Sequence, residues 1–143
     1  MCLAAALGFI GCSSDAPRTP AQYRQGVNAV CRATRRAVAA RPKPNAADPV
    51  ALVKSGQRAL VDQRNATRTL EALRPPAQLT RAAHAWLALV GRALNAVDAS
   101  LRAQARSDLT VAARANATAS KLVVEADAAA RELGVSDCAT PSA

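Results

Sequence analysis

Eight prolines fall in four groups along the chain: Pro17 and Pro20, then Pro42, Pro44 and Pro49, then Pro75 and Pro76, then Pro141. A proline inside a helix removes a backbone donor and clashes with the preceding turn, at a cost of about 3 kcal/mol. The proline-free spans between the groups are therefore where helices can run. Ala fills 37 of 143 positions and Arg supplies 16 of the 19 basic residues. Both are strong helix formers, and no β-branched or aromatic run of strand length competes with them. The chain is expected to be all-α and to form one domain. Its core must be lean, because Ala buries little apolar surface per residue.

Within that punctuation the apolar spacing predicts four helices. Thr19-Pro20-Ala21-Gln22 has the pattern of a capping box with proline at the first helical position, which opens helix 1 over 20–40. Its inward stripe is Tyr23, Val27, Val30, Thr34 and Ala37 or Val38. Asp48-Pro49 opens helix 2 over 49–74, with Leu52 or Val53, Gly56, Leu60, Gln63, Thr67, Leu70 and Leu73 facing inward. Pro75-Pro76 forces a reversal into helix 3, 77–105, with Leu79, Ala83, Trp86 or Leu87, Val90, Leu94, Val97 and Leu101 inward. No proline separates helices 3 and 4, so the break rests on Arg106-Ser107-Asp108, where Ser107 or Asp108 can cap the next helix. Helix 4 is expected over 108–132, with Ala112, Ala115, Ala119, Leu122, Ala126 and Leu133 inward and Gly134 as its left-handed stop. Four helices of similar length with short connections pack as an antiparallel up-down-up-down four-helix bundle.

At the N-terminus a short apolar run, Leu3 to Ile10, ends in Gly11-Cys12-Ser13-Ser14-Asp15. A greasy segment, a small residue, Cys and then polar residues resemble a bacterial lipoprotein signal. That resemblance implies that residues 1–11 are removed, that the sulfur of Cys12 carries the lipid, and that 12–18 is a short tether. The chain would then be anchored at the outer face of the cytoplasmic membrane. Phe9 stands where Leu is usual, and no Lys or Arg precedes the apolar run, so the true start is expected upstream of Met1. Cys2 would leave with the signal, and Cys31 and Cys138 would be the pair left in the mature domain. An even remainder in an exported protein reads as a disulfide, closing a loop of roughly 100 residues. The alternative is two independent buried thiols. The bundle is expected to span 19–138, followed by a flexible tail, 139–143.

Little in the chain carries chemistry. His84 is the single histidine, with Thr80, Leu87 and Ala88 within helical reach, which supplies neither a catalytic partner nor a metal set. The carboxylates are scattered singly, no Glu-x-x-His pair occurs, and no haem motif is present. Gly26, Gly56 and Gly91, isolated within helices, suggest close packing sooner than a phosphate cradle. No cofactor or metal is expected, and no enzymatic activity. The charge has more content: net +9, with eleven basic residues between Arg24 and Arg74. Arg24, Arg32, Arg35, Arg36, Arg58, Arg64 and Arg68 are the candidate basic surface. Such a surface attracts anionic lipid or wall polymer. Nucleic acid is not expected as a partner, because aromatic residues for base stacking are nearly absent.

Asn28-Ala29-Val30-Cys31-Arg32, Leu73-Arg74-Pro75-Pro76 and Leu133-Gly134-Val135-Ser136-Asp137-Cys138 resemble a recurring pattern in small exported helical proteins of actinobacteria. That pattern implies no activity. Two roles fit the sequence: a lipid-anchored interaction module of the envelope, or a carrier that holds a small molecule between its helices. A large apolar cavity with a few polar groups would favour the carrier. A filled core with a one-sided Arg surface would favour the module. Gln63 and Thr67 in the helix 2 stripe are the hint toward a cavity.

Overall fold

The computed structural model describes residues 19–140. The apolar run, Cys12, the 12–18 tether and residues 141–143 of the expected tail lie outside them. The described chain is an all-α four-helix bundle in which successive helices run antiparallel: α1 (Pro20–Ala39), α2 (Pro49–Ala72), α3 (Thr80–Ala105) and α4 (Leu109–Leu133). Short 3-10 turns at Ala77–Leu79 and Ser136–Cys138 precede α3 and follow α4. No described helix is long and apolar enough to cross a membrane.

α1, α2 and α4 each start where a side chain satisfies free N–H groups of the first turn, whereas α3 follows a 3-10 turn with no side-chain cap at Leu79. The Thr19 hydroxyl accepts from Gln22 N, and the Gln22 side chain accepts from Thr19 N, a reciprocal capping box. The Asp48 carboxylate accepts from Val50 N and Ala51 N at the head of α2. Asp108 accepts from Val111 N at the head of α4, which resolves the choice between Ser107 and Asp108. Ser107 has a different part in the same break. It ends α3 in the left-handed region, φ 59°, where its N–H donates to Gln104 O and that of Asp108 to Ala103 O. Gly134 ends α4 in the same way at φ 79°, with Val135 N donating back to Ala130 O.

α3 and α4 pack along their whole lengths, α2 lies against α3, and α1 lies against α2. Tyr23, Val27, Leu70, Ala83, Trp86 and Leu133 are all buried in one cluster. α1 meets α4 chiefly through the segment after Gly134, which turns back and lies along α1. Val135 is fully buried there and Ala139 is 5% exposed, so packing extends past the expected bundle limit at Cys138 into the first residue of the expected tail. Cys31 and Cys138 stand at disulfide distance, with Sγ atoms 2.05 Å apart and Cα atoms 5.1 Å apart. Asn28 accepts from Asp137 N, and Arg24 Nε donates to Leu133 O at 2.8 Å. The tail is thus riveted to α1 by a covalent link flanked by polar contacts.

Candidate ligand groove

The tail lies between α1 and α4, and a groove remains along α3. α3 forms a floor of Trp86, Val90, Ala93, Leu94, Val97 and Leu101. α2 supplies one wall with Gly56, Ala59, Leu60 and Gln63, and α4 the other with Val123, Ala126 and Asp127. The space between them is a groove of about 420 Å³, inside the range of roughly 300–1,000 Å³ typical of small-molecule sites. Beneath it, between α1, α2 and the tail, lies a second cavity of about 270 Å³ lined by Thr34, Arg35, Val38, Thr67 and Ala139, among others. Gln63, Trp86, Val90, Cys138 and Thr140 border both. The two spaces meet at that ring.

Small residues make the groove. Ala59, Ala93 and Ala126 leave room where Leu would fill it, and Gly56 lies so close to Leu101 that an added Cβ would come within 2.6 Å of the Leu101 side chain. Close packing expected at all three helical glycines holds for this one. Gly26 has ordinary contact with Leu73, and nothing stands within 4 Å of a Cβ placed at Gly91. In the α2 stripe Val53, not Leu52, is the half-buried residue of the pair, and Gln63 is exposed where the spacing predicts it inward. Gln63 is exposed because the open groove leaves its side of α2 uncovered; it still borders both cavities with Thr67 on the lower one. Trp86, not Leu87, takes the buried position in α3, at 2% exposure.

The expected basic surface is largely engaged in holding the chain together. Arg24 is half-buried and bonded to the end of α4. Arg32 pairs with the Asp137 carboxylate, and Arg35 donates to the carbonyls of Asp137 and Ala139. Arg64 pairs with Asp98 at 3.1 Å, joining α2 to α3. Arg36, Arg58 and Arg68 are exposed, and Arg58 and Arg68 stand ten residues apart, about 80° around the helix. Four of the seven arginines thus have backbone or carboxylate partners within the fold.

His84 is exposed on α3. Among the described residues no three His, Cys, Asp or Glu side chains come together as a metal-holding group. Tyr23 is 1% exposed, and its hydroxyl has no hydrogen-bond partner in the apolar cluster around it. Burial raises its pKa above the ordinary value, since the charged phenolate is the form that loses most on leaving water. No family model, curated protein or solved structure matches the chain. The groove is therefore read from its own residues.

Proposed function

We propose that this protein is a non-enzymatic carrier that holds an elongated apolar molecule in the groove over α3, while the lipid on Cys12 keeps it at the extracytoplasmic face of the membrane. One observation carries the reading: an apolar groove of about 420 Å³ runs along α3 from Trp86 to Leu101, between α2 and α4. Side chains that line an unfilled apolar space lack packing partners on one side, and an apolar guest supplies them. The rival role, an interaction module with a filled core and a one-sided arginine surface, has less support. Four of its seven arginines already have partners within the fold.

The test uses the full chain carrying Cys12→Ser, which prevents acylation, titrated with the neutral probe hexadecanol. Trp86 is the single tryptophan and borders the groove, so its fluorescence reports on the site. A saturable change at one probe per chain is expected, abolished by Ala59→Phe with helicity retained. No saturable change in the parent chain refutes the carrier role. The anchoring half of the proposal is tested separately: mass spectrometry of the native protein should find an N-terminal peptide that begins at lipidated Cys12, and an unmodified Met1 refutes it.

A further inference from the structure

The two spaces that meet at Trp86 differ in chemistry. The upper groove is walled almost entirely by Ala, Leu and Val, with Asp127 at the α4 side. The two share Gln63 and Thr140, and the lower cavity adds Thr34, Arg35, Thr67 and Asp137 to its apolar lining. Resting on the carrier reading, we propose that they are two compartments of one site for a single-chain amphiphile with an anionic head, the chain lying over α3 and the head beside Arg35.

Size favours one chain. From Trp86 to Leu101 is fifteen residues of α3, about 22 Å at 1.5 Å per residue. A membrane acyl chain spans half of a hydrocarbon core about 30 Å thick, or about 15 Å. The groove is long enough for such a chain laid lengthwise. Taking about 30 Å³ per methylene, the liquid volume of a water molecule, the 420 Å³ of the groove takes roughly fourteen methylenes. That is one chain; a second has no room.

Charge and donors set the head. Asp137 is the carboxylate that borders the lower cavity, and it is already paired with Arg32. The Thr34 hydroxyl donates to Val30 O and the Thr67 hydroxyl to Gln63 O, so both oxygens face a guest as acceptors. Arg35 differs. Its bonds to the tail carbonyls both come from Nη2, which leaves the N–H groups of Nε and Nη1 for a guest. A cation with unused donors at one end and the Asp127 carboxylate beside the apolar groove dictate polarity. An acid head is attracted to the Arg35 compartment and repelled from the other. The net charge of +9 adds long-range attraction for an anionic guest.

The experiment compares three probes of equal chain length on the full Cys12→Ser chain by Trp86 fluorescence: palmitate, palmitoyl lysophosphatidate and hexadecanol. Palmitate is expected to bind at least about tenfold more tightly than hexadecanol, about 1.4 kcal/mol, and that ratio should shrink as salt rises. Arg35→Gln should erase the preference while hexadecanol binds as before. Arg36→Gln, one residue away and outside both cavities, should keep it. Since Arg35 also ties down the tail, the salt dependence of the ratio in the chain with Arg35 intact stands as an independent measure. The order of palmitate and lysophosphatidate assigns the head as a free acid or a lipid phosphate. Equal, salt-independent affinity for palmitate and hexadecanol refutes the anionic head and leaves the carrier role standing. Failure of all three probes to bind refutes both.

Discussion

Replacing Cys31 with Ser cuts the one covalent tie between α1 and the tail, and its cost can be worked from the chain. Cys31 and Cys138 are separated by 107 residues. For a closed loop of that size the chain-entropy model gives about 4.7 kcal/mol of lost stability, and measured values for such bonds run from about 2 to 5. The 122 residues from Thr19 to Thr140, at about 2.1 cal/mol/K each, give an unfolding entropy of about 0.26 kcal/mol/K. Dividing one by the other predicts a fall in Tm of about 8 to 18 °C. Thermal unfolding followed by circular dichroism at fixed scan rate is the assay. Cys138→Ser should fall by the same amount as Cys31→Ser, and the double variant should be no worse, because all three lose the same link. A reducing agent added to the parent chain should reproduce that Tm. A fall under about 3 °C, or additive losses in the double variant, refutes the link and assigns both residues to packing alone.

Further outcomes follow from the helix ends and the core. Gly134→Ala places a side chain at φ 79° with its Cβ 2.9 Å from Arg24 Nε, so it should lower Tm by about 4–8 °C, for a strain of about 1–2 kcal/mol. Ser107→Gly, at φ 59°, should raise Tm by a few degrees, and a fall would show that Ser107 stabilises the α3–α4 turn in another way. Asp48→Ala and Asp108→Ala should each cost about 1 kcal/mol by removing a helix cap, read by urea unfolding. Tyr23→Phe removes a buried hydroxyl with no partner and should gain about 1 kcal/mol. The same residue sets a pH effect. Below the ordinary tyrosine value of 10.0 the phenol is neutral in both folded and unfolded chains. Above it the unfolded chain loses its proton first while burial keeps the folded phenol protonated, so stability falls as pH rises. Phe at this position should flatten that alkaline decline, and an unchanged decline in Tyr23→Phe would assign it to other groups.

The sequence was a good guide wherever the information is local. The helix starts at Thr19, Asp48 and Asp108 lie at their capping side chains, and α4 stops at Gly134, because caps and left-handed stops depend on residues a few positions apart. The α3–α4 break was legible from the acid after Ser107. The left-handed turn at Ser107 was not, since no glycine marks it. The stripe on α2 was read correctly at Leu60 and Leu70 and wrongly at Gln63. Helical spacing says which residues share a face, and it does not say whether a neighbour covers that face at every height.

Proline spacing, alanine and arginine content and the apolar period by themselves determined an all-helical chain of four antiparallel segments, since helix propensity and reversal act within a few residues. Cysteine counting proposed the pair. Only the tertiary structure decided where the tail goes in the bundle. It lies along α1 between α1 and α4, and its residues Cys138 and Thr140 border the groove over α3. It also decided the fate of the arginines. Arg24, Arg32, Arg35 and Arg64 look like free surface charge in the sequence, but each finds a backbone carbonyl or carboxylate more than thirty residues away. Those contacts exist because four packed helices bring distant segments together, and no local pattern encodes which of them will meet.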